Sequence, residues 1–248
     1  VWEGEHYLFR YKTLAELQFR VKGPGGFFHD RANGLLYIQT LDGGDPTGRD
    51  IYIAQHINST DKPWGKAWEV TGGYLEFKGL IFKWCSNGLV ISGTECVLDG
   101  CHGLANQYLA RVNGATGGLA RNCSADGGPG YDTYKRRGYD WPGGRGIFVM
   151  EAARSFEIYG CQFTRLMDGI SGFAYGKASN PSINPNVDIW DNEFSLIQDD
   201  CLEVDCAAVL WGIWGNRFRD SYVGISLAPA KLGPVYLFKN QYTNIHKD

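Results

Sequence analysis

The sequence predicts an all-β fold: a right-handed parallel β-helix preceded by a small β-rich module. Three observations carry this expectation. The first is a repeat, in which Asn recurs at 192, 216 and 240, with steps 216 − 192 = 24 and 240 − 216 = 24. An aromatic residue stands two positions after each Asn (Phe194, Phe218, Tyr242) and an aliphatic one three before (Ile189, Ile213, Leu237). A fixed period in the twenties marks a solenoid whose rungs bury their apolar faces on one another. The second is that the same column runs upstream through Cys161, Cys123, Cys101 and Leu80. Its short steps are 123 − 101 = 22 and 101 − 80 = 21, and its long ones 161 − 123 = 38 and 192 − 161 = 31. The long steps predict loops thrown out of a regular coil. The third is a second apolar set at period two: Leu89/Ile91, Ile147/Val149, Ile170, Leu202/Val204 and Ile225/Leu227. Alternation of that kind is the strand signature.

A leucine-rich repeat also places an aliphatic residue three before an Asn. Its opening Leu is missing here, since Asn184 and Ala208 stand in that place, and the second half of each rung lacks helical spacing. The β-helix is therefore preferred. Its rungs would lie about 4.8 Å apart, so that like residues stack in ladders, first Cys101–Cys123–Cys161 and then Asn192–Asn216–Asn240.

Residues 1–70 form the predicted N-terminal module. Thr13-x-x-Glu16 is a capping-box pattern ahead of a short helix. Residues 24–55 read as two or three antiparallel strands, with turns at Arg31-Ala-Asn-Gly34 and Asp42-Gly-Gly-Asp-Pro46. Residues 56–70 read as a polar connector containing Pro63. The solenoid is expected over 71–248, with rungs from Tyr74 onward and loop inserts near 126–145 and 172–186.

The chain has 248 residues, 34 of them Gly, which suits a fold with many corners. A net charge of −3 gives no electrostatic footprint for nucleic acid. No apolar run approaches the roughly 18 residues of a membrane-spanning helix. The chain starts at Val1 without Met or a leader pattern, so a mature product or a piece of a longer protein is expected. Seven Cys is an odd number; buried free thiols are expected ahead of disulfides. No Cys/His spacing suits zinc, and the five His are scattered.

The densest chemistry lies in Gln198-Asp199-Asp200-Cys201-Leu202-Glu203-Val204-Asp205. With Leu202 and Val204 inward, alternation predicts Cys201, Glu203 and Asp205 on the outer face. Aligning rungs places Asp168 beside Asp200, with Val223 on the other side of Asp200. Crowded carboxylates raise one another's pKa or gather a cation. Asp168, Asp199, Asp200 and Glu203 are therefore the candidate catalytic acids. Asp199, Asp200, Glu203 and Asp205 are candidate ligands of a calcium ion. A pair can divide into acid and base for glycoside hydrolysis, or a calcium ion can assist elimination from a uronate. The plainer reading is that Asp and Asn serve as corner residues. In the first insert, Arg136, Arg137, Tyr139, Trp141 and Arg145 combine aromatic faces with cations, which suits a polysaccharide. Without a ligand, the same insert is a surface loop.

From Tyr74 onward, the chain resembles bacterial secreted right-handed β-helix proteins of the pectate-lyase-like superfamily. The segment Phe27–Pro46 resembles a short β module preceding the helix in many of them. This likeness implies secretion or cell-surface location and action on polysaccharides. A narrower similarity is to polygalacturonase-type glycoside hydrolases, which carry N-T-D-G, D-D-C and G-H-G on successive rungs. Leu166-Met-Asp168-Gly169, Asp199-Asp200-Cys201 and Tyr222-Val223-Gly224 occupy those places. The likeness maps the family aspartates to Asp168, Asp199 and Asp200. The family's Asn-Thr is here Leu-Met, its His is Val223, and its R-I-K clamp has no counterpart. Two functions are thus expected: an extracellular polysaccharide hydrolase or lyase, or a non-catalytic glycan-binding, surface or fibre-forming module. Open solenoid ends would allow end-to-end self-association in the second case.

Overall fold

The computed structural model describes residues 1–4, 6–21, 23–52, 66–83, 85, 87–104, 108–128, 145–150, 153–173, 184–204, 208–227 and 232–245. The chain divides into two compact units, one built around Val1–Gln55 and the other carrying the rungs.

In the first unit, Thr13 caps the helix Leu14–Gln18, its hydroxyl accepting the Glu16 N–H at 3.2 Å. The Glu16 carboxylate reaches back to the Lys12 N–H, one residue before the cap, at 3.0 Å. Gly26–Asp30 and Leu35–Gln39 pair antiparallel, and Phe9–Arg10 joins Gly26–Asp30 in parallel. Asp30 Oδ1 accepts the N–H groups of Ala32 and Asn33 and so closes the turn. A second sheet pairs Trp2–Glu3 antiparallel with His6–Tyr7 and with Ile51–Tyr52.

The second unit is a right-handed parallel β-helix of three 7-stranded sheets, visited in turn by each rung. The first sheet contains Lys66–Val70, Asn87–Ile91, Tyr108–Asn113, Arg145–Met150, Asp168–Phe173, Asp200–Val204 and Val223–Ser226. The second runs from Glu76–Lys78 to Val235–Phe238 and the third from Ile81–Lys83 to Gln241–Ile245. Every described neighbour pair in these sheets is parallel, and among the described residues no helix interrupts a rung, which excludes the leucine-rich alternative. Lys66–Val70 already belongs to the first sheet, ahead of Tyr74. Among the described residues no helix is long and apolar enough to cross a membrane.

The corner between the second and third sheets explains the repeat. Residues before it take positive φ, as at Asp191 (53°), Gly215 (67°) and Lys239 (55°), turning the chain so that the next side chain points inward. Asn192 N–H donates to Asn216 Oδ1, and Asn216 N–H to Asn240 Oδ1, each at 3.0 Å. The Nδ2 groups donate to the carbonyls of Ile158, Ile189 and Ile213 at 2.9, 3.0 and 3.0 Å. Cys161 tops this ladder, its N–H donating to Asn192 Oδ1 at 2.9 Å. Each buried Asn therefore satisfies backbone groups that the corner would leave bare. The six described cysteines carry free thiols, and five of them are buried.

Two aromatic files run along the coil. Inside, Phe163, Phe194, Phe218 and Tyr242 stack with centroids 5.0, 5.1 and 5.0 Å apart. On the outer face of the second sheet, Tyr159, Trp190, Trp214 and Phe238 stack at 4.2, 5.9 and 5.5 Å. Each such contact is worth about 0.5–1.5 kcal/mol beyond the area it buries.

The second insert begins within Asp168–Phe173, and its end is held by pairing of Asn184–Pro185 with Ala208–Val209. Trp211 Nε1 donates to the Asn184 carbonyl at 2.6 Å. Residues 129–144 of the first insert lie outside the described residues.

Candidate functional site

The candidate site forms where the chain enters the first sheet on its fourth, fifth and sixth strands. Backbone bonds align the approaching segments: Gln198 N–H to Leu166 O at 3.0 Å, Asp199 N–H to Met167 O at 2.9 Å, and Val223 N–H to Asp199 O at 2.9 Å. The strands then hold Arg145 beside Asp168, Ile170 beside Leu202, and Asp200 beside Val223.

Period-two alternation fails at this entry. Cys201 and Leu202 are both fully buried, so Cys201 does not face outward as alternation predicts. The corner turns two successive residues toward the interior. Gly169 and Ile170 show the same pattern: a Cβ at Gly169 would stand 2.5 Å from the Phe194 ring and 2.6 Å from the Cys201 carbonyl. The doubled inward step leaves Asp168 and Asp200 on the side that carries Glu203. Arg145 confirms that arrangement by reaching both Asp168 and Glu203.

One carboxylate oxygen from each of Asp168, Asp199 and Asp200 lies within 4.8 Å of the others. Asp168 is buried, while Asp199 and Asp200 are partly exposed. Asp168 Oδ2 accepts from Arg145 Nε at 2.5 Å, and its Oδ1 from the Asp200 N–H at 3.4 Å. Arg145 Nη2 stands 3.9 Å from Glu203 Oε2. The three aspartates can hold a metal ion, and their hard oxygen donors suit calcium. Beside Glu203 in register is Ser171, whose buried Oγ has no hydrogen-bond partner among the described residues. A buried hydroxyl left so costs about 1–3 kcal/mol.

Burial pushes the Asp168 carboxyl up to about 6; Arg145 pulls it down, while Glu203 and Asp199 push it further up. Burial works against the Arg145 charge, but Asp168 and Glu203 outweigh it and raise that group above its ordinary value. The folded chain thus holds a proton on Asp168 more tightly than an unfolded aspartate, whose carboxyl titrates at 3.8, does. The stability this contributes is full below about pH 4 and is lost as pH rises through about 6, a change of about 3 kcal/mol. Urea titrations at pH 4 and pH 7.5 are expected to show that loss in the parent chain and a smaller one in Asp168→Asn. Equal losses in the two would contradict it.

Comparison with family models, with curated proteins and with solved structures finds no match for this chain. The fold itself is that of parallel β-helix proteins, among which carbohydrate-active members are common.

Of the predicted site residues, Asp168, Asp199, Asp200, Glu203 and Arg145 come together. Arg136, Arg137, Tyr139, Trp141 and Asp205 lie outside the described residues. Sequence reasoning placed Arg145 among sugar-binding residues and missed that it stacks on Asp168. The signal was present: Ile147 aligns with Ile170, and two residues back stand Arg145 and Asp168. Ser171 carried no comparable signal, because an outward Ser in a strand is ordinary.

Proposed function

We propose that this chain is an extracellular carbohydrate-active protein that cleaves a polysaccharide by hydrolysis on the outer face of its first sheet. The observation that carries this reading is the meeting of Asp168, Asp199 and Asp200 within 4.8 Å. Carboxyls so close do not all ionise together, so the cluster offers a proton donor and a base at once. One partly exposed aspartate protonates the departing glycosidic oxygen, and the other stabilises or activates the group that attacks the anomeric carbon. Asp168, fixed by Arg145, holds its carboxylate against the other two. Bound at the same carboxylates, calcium would supply charge neutralisation. The resemblance to the pectate-lyase-like superfamily supports both the chemistry and the location outside the cell.

Mass spectrometry of oligosaccharide products tests the reaction class. Hydrolysis is expected to add water and leave saturated ends. Unsaturated ends would replace hydrolysis with elimination.

A further inference from the structure

We infer that Arg145 is the chain's own counter-ion for the aspartate cluster, that a divalent cation binds there in competition with it, and that the displaced guanidinium passes to Glu203. The inference concerns cation binding alone, so it stands or falls apart from the proposed cleavage. Three observations support it.

The first is the engagement of Asp168. Its Oδ2 accepts from Arg145 Nε at 2.5 Å and its Oδ1 from the Asp200 N–H at 3.4 Å. The same carboxyl is one of the three whose oxygens lie within 4.8 Å of one another. A cation in the cluster must therefore share Asp168 with Arg145 or take it over. A divalent ion and a guanidinium on one covered carboxylate repel each other, and so far from bulk water little screens that repulsion. Arginine does not relieve it by losing a proton. The second is enclosure. The side chains of Asp168 and Arg145 are 1% and 19% exposed. A guanidinium so covered leaves one carboxylate only for another, because a covered charge without a partner is costly. The third is that the second carboxylate is at hand. Glu203 Oε2 stands 3.9 Å from Arg145 Nη2, too far for a hydrogen bond and near enough to become one after a small swing. Arg111 lies in the outward row of Glu203, but three strands away, with its guanidinium over the Tyr108 ring. Arg145, by contrast, touches the cluster.

The test titrates calcium chloride calorimetrically into metal-stripped protein, and reads the Tm in calcium and in EDTA. Arg145→Gln is expected to bind calcium about tenfold or more tightly than the parent, while Arg145→Lys, which keeps the charge, stays within about threefold of it. Asp199→Asn added to Arg145→Gln is expected to abolish the gain. A gain that survives it would place the ion elsewhere and overturn the inference. Glu203→Gln is expected to weaken calcium binding several-fold more in the parent than in Arg145→Gln, because only the parent has a guanidinium to pass on. Equal losses in the two would overturn the transfer to Glu203. Should Arg145→Gln be unfolded in EDTA, calcium is expected to restore its folding, since an ion bound to the folded chain alone stabilises it. A variant unfolded with and without calcium would overturn the counter-ion role. Equal calcium affinity in parent and Arg145→Gln, or binding to neither, would overturn the competition. None of these readings uses turnover, so none of them decides the hydrolase.

Discussion

Asn216→Ala is expected to cost the solenoid about 3–5 kcal/mol, because several buried groups lose their partner at once and each costs about 1–3 kcal/mol. Asn216 Oδ1 accepts from both Asn192 N–H and Asn192 Nδ2, and Asn216 Nδ2 donates to the Ile189 carbonyl. The side chain is fully buried, so water does not replace it. Asn240→Ala is the internal comparison. It strips the same kinds of bond from Asn216, but at the last rung, where the site is more open and solvent can substitute. Its cost is expected to be smaller by about half. Urea unfolding with unchanged m-values would read both numbers as stability. If Asn216→Ala cost less than about 1 kcal/mol, the ladder would be an ornament of the coil and not its support.

Asp200→Asn is expected to lower turnover of a cleaved polysaccharide by about 10²–10⁴-fold, the usual worth of a placed general acid or base. The substitution keeps shape and the backbone pairing of Asp200 with Val223. Circular dichroism and the unfolding midpoint are therefore expected to stay close to the parent's. Removing a carboxylate from a crowded group relieves repulsion, so a small gain in stability fits the same account. A variant with full activity would sink the catalytic assignment.

The fold was legible because rungs repeat a physical requirement. The corner between the second and third sheets needs a residue tolerant of positive φ followed by a small or amide side chain, and Gly160-Cys161, Asp191-Asn192 and Gly215-Asn216 state that once per rung. The aromatic spacing after each Asn follows from the stacked file of Phe194, Phe218 and Tyr242. The site was legible only in part. Register brought Asp168 beside Asp200, since the Ile170–Leu202 pair lies two residues on. Facing was not legible at Cys201, because the doubled inward step depends on the turn and not on the alternation of residue types. The pairing of Arg145 with Asp168 was hidden because Arg145 closes a loop of aromatic and basic residues in the sequence, while its backbone already belongs to a strand.

The outer file of rings gives the coil an optical consequence. Trp190 and Trp214 lie 5.9 Å apart with planes only 6° from parallel. Two indoles held that way share their electronic excitation, so their near-ultraviolet signal belongs to the pair. That signal exists only while neighbouring turns of the coil remain seated on each other, and the molecule carries its own spectroscopic gauge of that seating.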